Sequence, residues 1–173
     1  MGKLILITGG TRSGKSHFAQ MQAEKCAGKL LYVATAATHD DEMRERVRLH
    51  QNARGARWET LEEPYRWPEQ LLPVVDKQGA VLVDCITLWL SNLFFRYEED
   101  VDRVRHEVTQ GLTLLKPLDV PVLLVTNEVG SGIVPDNRLA RIFRDLAGEV
   151  NQQLGMLADE AWLVVAGLPL RLK

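Results

Sequence analysis

Eight consecutive residues, Gly9-Gly10-Thr11-Arg12-Ser13-Gly14-Lys15-Ser16, constrain this chain more than any other stretch. They match G-x-x-x-x-G-K-[ST] and directly follow the apolar run Leu4 to Thr8, which reads as a buried strand. A loop of this kind, set between a strand and a helix, turns successive backbone N–H groups toward an anion. The start of the helix adds its partial positive charge. In such a loop Lys15 neutralises β- and γ-phosphates, and the Ser16 hydroxyl is a ligand for Mg²⁺. The alternative is a glycine-rich turn that carries Lys and Ser without binding phosphate.

The rest of the chain supplies the context the loop needs. Leu4 to Thr8, Leu30 to Thr35, Ala80 to Asp84, Pro121 to Thr126 and Trp162 to Ala166 are nearly continuous apolar runs, with Arg57 to Leu61 a weaker candidate. Such runs fit strands covered on both faces. Helical patterns alternate with them at Lys15 to Cys26, Asp41 to Arg54, Pro68 to Val75, Leu88 to Phe95, Asp100 to Leu115 and Asn137 to Leu157. This order predicts an α/β fold with a mostly parallel central sheet flanked by helices. Val101, Val104, Val108, Leu112 and Leu115 recur at helical spacing, as do Leu139, Ile142, Phe143, Leu146, Val150, Leu154 and Leu157; both stripes read as core. With no repeat or low-complexity linker, residues 1–173 read as a single domain.

Val81-Leu82-Val83-Asp84 places an acid at the end of a buried strand, where Asp84 either joins Ser16 in holding Mg²⁺ or caps the next segment. Asn127-Glu128-Val129-Gly130 stands where a GTPase commonly carries Asn-Lys-x-Asp, and Asp84 opens no Asp-x-x-Gly switch. A small-molecule phosphotransferase therefore leads over a signalling GTPase.

Composition narrows the class further. The chain of 173 residues carries 21 Lys and Arg against 23 Asp and Glu, which argues against a nucleic-acid protein held by a broad basic surface. At this length about 70% of the unfolded surface can be buried without cross-links. Two cysteines, Cys26 and Cys85, exclude a dense disulfide framework and suit a reducing compartment. Gly9-Gly10 ends the first apolar run far short of a signal-peptide core, and no run approaches the roughly 18 apolar residues of a membrane span. These features together predict a cytoplasmic protein.

In the segment Asp40 to Arg54, Met43, Val47, His50 and Arg54 share one helical stripe. His50 is either a hydrogen-bonded buried histidine or a nucleophile, and Arg54 either a structural ion pair or a stabiliser of phosphate charge. Beside a triphosphate, a neutral imidazole can attack the α-phosphorus and expel pyrophosphate, leaving a nucleotidyl-histidine.

Taken together, these residues resemble the bifunctional adenosylcobinamide kinase and adenosylcobinamide-phosphate guanylyltransferase family of cobalamin biosynthesis. The resemblance runs through Thr8 to Ser16, Tyr32-Val33-Ala34-Thr35-Ala36, Asp40 to Met43 with His50, Trp58 to Glu62 and Asp84-Cys85-Ile86-Thr87. It continues through Thr126 to Gly130, Gly132 to Pro135, Asn137-Arg138, Phe143-Arg144-Asp145 and Ala158 to Gly167. The loop alone is generic; the ordered set is specific.

The resemblance implies a P-loop NTPase, RecA-like sheet and a homotrimer. It also implies phosphorylation of adenosylcobinamide with ATP or GTP, then transfer of GMP from GTP to the phosphate, with Mg²⁺. By the same likeness His50 carries GMP, and Lys15 serves the phosphates. The implied nucleotide contacts are Gly9, Gly10, Thr11, Arg12, Ser13, Gly14, Lys15, Ser16, Ala34, Thr35, Ala36, Gln51, Asn52, Ala53, Arg54, Glu62 and Asp84. Glu62 would accept from the guanine N1–H and amino group; otherwise it is an exposed loop acid. Residues Asn127 to Pro135 line the corrinoid cleft or form a structural connection. Two other readings stay open: a single-activity kinase with a structural histidine, and a nucleotide-dependent binding protein.

Overall fold

The computed structural model describes residues 2–37 and 55–173, so the expected helix Asp41 to Arg54 lies outside the described residues, with His50, Gln51, Asn52, Ala53 and Arg54. Seven strands form one sheet: β1 Leu4–Gly9, β2 Leu30–Ala34, β3 Trp58–Glu62, β4 Ala80–Asp84, β5 Val122–Asn127, β6 Glu160–Val165 and β7 Leu168–Arg171. Their order across the sheet is β3-β2-β4-β5-β1-β6-β7. All neighbours run parallel except β6 and β7. The helices among the described residues are α1 Lys15–Ala23, α2 Trp67–Leu71, α3 Ile86–Arg96, α4 Val101–Thr113 and α5 Arg138–Leu157, with a 3₁₀ turn at Val75–Lys77. None among the described residues is long and apolar enough to cross a membrane.

Strand side chains alternate between two cores, as a doubly covered sheet requires. On one face Ile7, Leu30, Ala80, Leu82, Leu123, Val125 and Val164 pack against Phe18, Ala19 and Ala23 of α1. On the other, Leu6, Leu31, Val33, Val81, Val83, Val122 and Leu124 pack with α2 to α5. The expected stripes of α4 and α5 face this second core: Val104, Val108, Leu112, Leu146, Val150 and Leu154 are buried in it. Trp67 and Trp89 meet edge to face with ring centroids 5.4 Å apart, an arrangement worth about 0.5–1.5 kcal/mol beyond area burial. Asp100 and Asn137 cap α4 and α5, accepting from Arg103 N and from Leu139 N and Ala140 N.

The sequence reading leaves out β7. It pairs with β6 through a two-residue turn, with Val165 opposite Leu168, and both turn residues have positive φ, Ala166 at 51° and Gly167 at 79°. That is the backbone of a type I′ hairpin. Ala166 in place of Asn hides the turn in the sequence, and Pro169 argues against a strand unless the strand lies at a sheet edge, which β7 does. Helix α1 stops at Ala23, earlier than the pattern predicts. There the Arg57 guanidinium donates to the carbonyls of Glu24, Cys26 and Gly28, satisfying the acceptors that follow the helix.

Packing is tight where α4 crosses α2 and α3. A Cβ at Gly111 would stand 2.9 Å from Pro68 Cγ and 3.2 Å from Trp89 Cη2. The proline ring is rigid, and the Trp89 indole is tied to the Tyr65 carbonyl at 2.7 Å. Gly111→Ala therefore brings an overpacking cost of about 1–3 kcal/mol, against a helix-propensity gain of about 1 kcal/mol. Urea unfolding should show a lower midpoint at unchanged slope.

Candidate active site

The Gly9–Ser16 segment joins β1 to α1 with no room for side chains at its two ends. A Cβ on Gly9 would lie 2.4 Å from the Val164 carbonyl oxygen, and one on Gly14, at φ 93°, would lie 3.1 Å from Gly167 Cα. The loop is closed by Ser13 N donating to Gly10 O at 3.2 Å, and the helix begins with Phe18 N donating to Gly14 O at 3.0 Å. Arg12 sits at φ 58°, a left-handed conformation that costs a non-glycine residue about 1–3 kcal/mol and is held by the closed loop around it. From the far side the β6–β7 turn supports the loop, as Gly167 N donates to Ser13 O at 2.8 Å. The Lys15 ammonium curls back over the loop to Gly10 O at 3.1 Å, its side chain largely buried. Ser13 Oγ is buried without a hydrogen-bond partner among the described residues, a polar group that a phosphate oxygen would satisfy.

The other expected contacts among the described residues collect along the same edge. Ala34 at the end of β2 is in register with both Glu62 of β3 and Asp84 of β4, and Gly9 with Asn127 of β5. Strand alternation fixes which way these positions face. Tyr32, Trp58, Leu82, Val125 and Ile7 belong to the α1 side, so Ala34, Glu62, Asp84, Asn127 and Gly9, each two residues on or in phase, belong to it too. One face at the carboxyl edge of the sheet thus carries the loop, an acid on β4 and an acid on β3. Ligands of open α/β sheets bind at that edge. Glu62 stands four strand spacings from β1, about 19 Å, so the row is long enough to hold an extended ligand.

Thr35 also has a structural part. It is fully buried, and its hydroxyl donates to Cys85 O at 2.7 Å while accepting from Cys85 N at 2.9 Å. Its own carbonyl accepts from Asn92 Nδ2 at 2.7 Å, and the same amide reaches Pro64 O at 3.0 Å. With these groups engaged, Thr35 ties the end of β2 to the residue after Asp84. Asn92, on α3, is absent from the sequence-derived set because its partners lie far away in the chain, where spacing carries no signal. Ala36, half-buried just beyond this tie, keeps its place beside the edge.

Asp84 and Ser16 offer one carboxylate and one hydroxyl on the face that bears the phosphate loop. Hard oxygen donors in so small a number suit Mg²⁺, which keeps several of its waters and shares phosphate oxygens. Among the described residues no cluster of three or more His, Cys, Asp or Glu forms a metal cage. Next to Asp84 in the chain is Cys85, 5% exposed, whose thiol is pushed up to about 12 by burial and then by the Asp84 carboxylate. Backbone N–H groups and the Lys15 ammonium oppose that rise. Lys15 and Asp84 thus share one electrostatic neighbourhood, and Cys85 stays a neutral thiol there.

Comparison with known proteins agrees with this geometry. Residues 5–172 match the family described as cobinamide kinase / cobinamide phosphate guanyltransferase. The chain is 39% identical over 181 residues to the bifunctional adenosylcobalamin biosynthesis protein CobU of Escherichia coli (strain K12), with 98% of this chain and 99% of that protein covered. It is 41% identical over 182 residues to the protein of the same name from Salmonella typhimurium, covering 98% and 99%. With the bifunctional adenosylcobalamin biosynthesis protein CobP of Pseudomonas aeruginosa it shares 39% over 168 residues, covering 97% and 96%. Among solved structures it resembles an ATPase of the type III secretion system of pathogenic bacteria, with TM-score 0.60, 12% identity, and 94% of this chain and 51% of that one covered. It also resembles the RadB recombinase, with TM-score 0.56, 20% identity and coverages of 94% and 74%. The structural likenesses bear on the fold alone, which is that of a P-loop NTPase with a RecA-like sheet.

The Cys85 environment makes a signed prediction. Between pH 9.0 and about 12 the folded thiol keeps its proton while the unfolded chain gives it up, so this group's contribution to stability falls as pH rises through that window. Urea unfolding from pH 8 upward should show a decline that Cys85→Ala removes in part. Iodoacetamide should alkylate half-buried Cys26 in the native protein and leave Cys85 until the chain unfolds.

Proposed function

The chain belongs to the cobinamide kinase / cobinamide phosphate guanyltransferase family, and from that premise we propose that it phosphorylates adenosylcobinamide with ATP or GTP and then transfers GMP from GTP to the resulting phosphate. The observation that carries this reading is the convergence of the Gly9–Ser16 loop, Asp84 and Glu62 on one face at one edge of the sheet.

In the first reaction the substrate hydroxyl oxygen attacks the γ-phosphorus. The bond to the β–γ bridging oxygen breaks, the nucleoside diphosphate leaves, and the hydroxyl proton passes to solvent. Backbone N–H groups of Gly10 to Ser16 hold the phosphates, and Lys15 balances the charge that moves onto the leaving oxygen. Mg²⁺ held by Ser16 and Asp84 would neutralise the phosphate oxygens and orient them. In the second reaction a neutral His50 nitrogen attacks the α-phosphorus of GTP and pyrophosphate leaves, with the loop retaining the leaving group. An oxygen of adenosylcobinamide phosphate then attacks the guanylyl phosphorus, displacing His50 and giving adenosylcobinamide-GDP. Arg54 stabilises charge on the α-phosphate, Gln51, Asn52 and Ala53 flank it, and Glu62 accepts from the guanine N1–H and amino group. These five roles rest on the family likeness.

The whole chain, 1–173, works as a single domain. It assembles as a homotrimer, as the family likeness implies; 173 residues leave little surface to enclose a corrinoid, and an inter-subunit cleft supplies the rest. The reaction belongs in the cytoplasm, where its nucleotide substrates are made.

GTP labelled at the α-phosphorus should leave acid-labile, alkali-stable label on the protein, γ-labelled GTP should leave none, and His50→Ala should abolish the α-label. Absence of α-label on the wild-type protein in Mg²⁺ would contradict the guanylyl-histidine. Asp84→Asn should lower kcat for phosphorylation by at least about 100-fold, the scale of a lost metal ligand.

A further inference from the structure

The end of β5 is held by a closed ring of hydrogen bonds that the reaction described above does not use. Asn127 N donates to Thr87 Oγ1 at 2.8 Å, and Thr87 and Thr126 hydroxyls lie 3.2 Å apart. Thr126 Oγ1 donates to Asn151 Oδ1 at 2.7 Å, and Asn151 Nδ2 donates to Asn127 O at 3.2 Å. Because the Thr126 proton is committed to Asn151, the Thr87 proton must go to Thr126, and the donors run one way around the ring. Such a ring is self-consistent only with every member present. It joins α3, β5 and α5, and its hydroxyls are buried, with Thr87 9% and Thr126 2% exposed.

The ring fixes a backbone from which a side chain projects the other way. Thr126 points to the α3 and α5 side, so Asn127, one residue on, points to the α1 side with Leu123 and Val125. Its backbone is in register with Gly9, whose carbonyl accepts from Glu128 N at 3.0 Å. Its amide Nδ2 reaches toward Cys85 Sγ at 3.9 Å, a weak contact in the same neighbourhood as Lys15 and Asp84. The strand that carries the amide, β5, lies between β1, which leads into the phosphate loop, and β4, which ends in the acid, with Asn127 two residues beyond the level of Asp84.

We propose that Asn127 is a catalytic residue of the phosphoryl transfer, its Nδ2 donating to an oxygen of the γ-phosphoryl group as charge spreads over it, and that Thr87, Thr126 and Asn151 are the positioning residues that hold it there. The assignment rests on the nucleotide reading of the loop. An amide fixed before the reaction spends no reorganisation on it, which is how one neutral donor lowers a barrier. Its contact concerns the γ-phosphoryl group, so attack of His50 at the α-phosphorus needs it little.

Kinase kcat, nucleotide affinity from a fluorescent GTP analogue, and α-label on the protein separate these roles. Asn127→Ala should lower kinase kcat by about 100-fold, the typical effect of losing one such donor. Affinity and α-label should stay within about 3-fold, since an interaction made mainly in the transition state leaves binding alone. Asn127→Asp, of the same shape, should be slower still, because it sets a carboxylate against the phosphate. Thr126→Val should lower kcat as well, and Thr126→Ser, which keeps the hydroxyl, should restore it. Kinase kcat near wild type in Asn127→Ala or Asn127→Asp overturns the assignment, as does parallel loss of α-label and kinase activity. A Thr126→Val protein that melts earlier at unchanged kcat overturns the positioning role of the ring. A wild-type protein without either activity overturns the functional reading and this assignment with it, whereas an active wild type beside an active Asn127→Ala variant overturns the assignment alone.

Discussion

At Gly9 the first strand runs so close to the Val164 carbonyl that a single added carbon would lie 2.4 Å from it, and the geometry of the site depends on that approach. It allows β1 to turn sharply out of the sheet at its carboxyl end. It also keeps β6 near enough for the β6–β7 turn to reach the loop through Gly167 and Ser13. On its other side β1 is bound to β5 over its full length, Leu4 to Val122 through Gly9 to Asn127. The loop is therefore held from both flanking strands and from the hairpin beneath. A phosphate-binding loop needs such support, because its N–H groups bind well only when they do not have to be rearranged around the anion.

The same sheet would let the two proposed chemistries share one site. Parallel strands present all their carboxyl ends together, and alternation places Gly9, Asn127, Asp84, Ala34 and Glu62 on the α1 face in a stepped row, Gly9 and Asn127 two residues beyond the level of the other three. Charge along the row is uneven. Lys15 and the loop amides lie at one end, Glu62 at the other, and Asp84 between them. A nucleoside triphosphate laid along it would put phosphates at the cationic end and a hydrogen-bond-donating base edge at the acidic end. On the proposed reading, attack at the γ- or the α-phosphorus would depend on which nucleophile approaches, a corrinoid hydroxyl or His50, with the nucleotide itself held in one way.

Much of this was legible in the sequence because it is local. Three apolar residues before Asp84 mark a buried strand ending in an acid, and the glycines and Lys15 mark the loop directly after another. The stripes of α4 and α5 were readable from helical spacing alone. What escaped is carried by contacts between distant segments. The tie between the Thr35 hydroxyl and the Cys85 backbone joins segments far apart in the chain. Asn92 and Asn151 are ordinary polar residues in helices until their partners at Pro64 and Thr126 are known. The β6–β7 hairpin was hidden for a different reason, since Ala166 accepts a positive φ that sequence rules reserve for Asn or Gly, and Pro169 is tolerated because the strand is an edge. His50 and the residues up to Arg54 lie outside the described residues, so the histidine's part rests on sequence and family.

A crystal structure of the protein with Mg²⁺ and a GTP analogue resistant to hydrolysis tests the central claim most directly, that one row of side chains holds one nucleotide for both reactions. It should show the β- and γ-phosphates in the Gly9–Ser16 loop, the chain of the nucleotide crossing β5 and β4, and the guanine edge at Glu62. A base lodged on the opposite side of the loop, against β6 and β7 and away from Glu62, would contradict it.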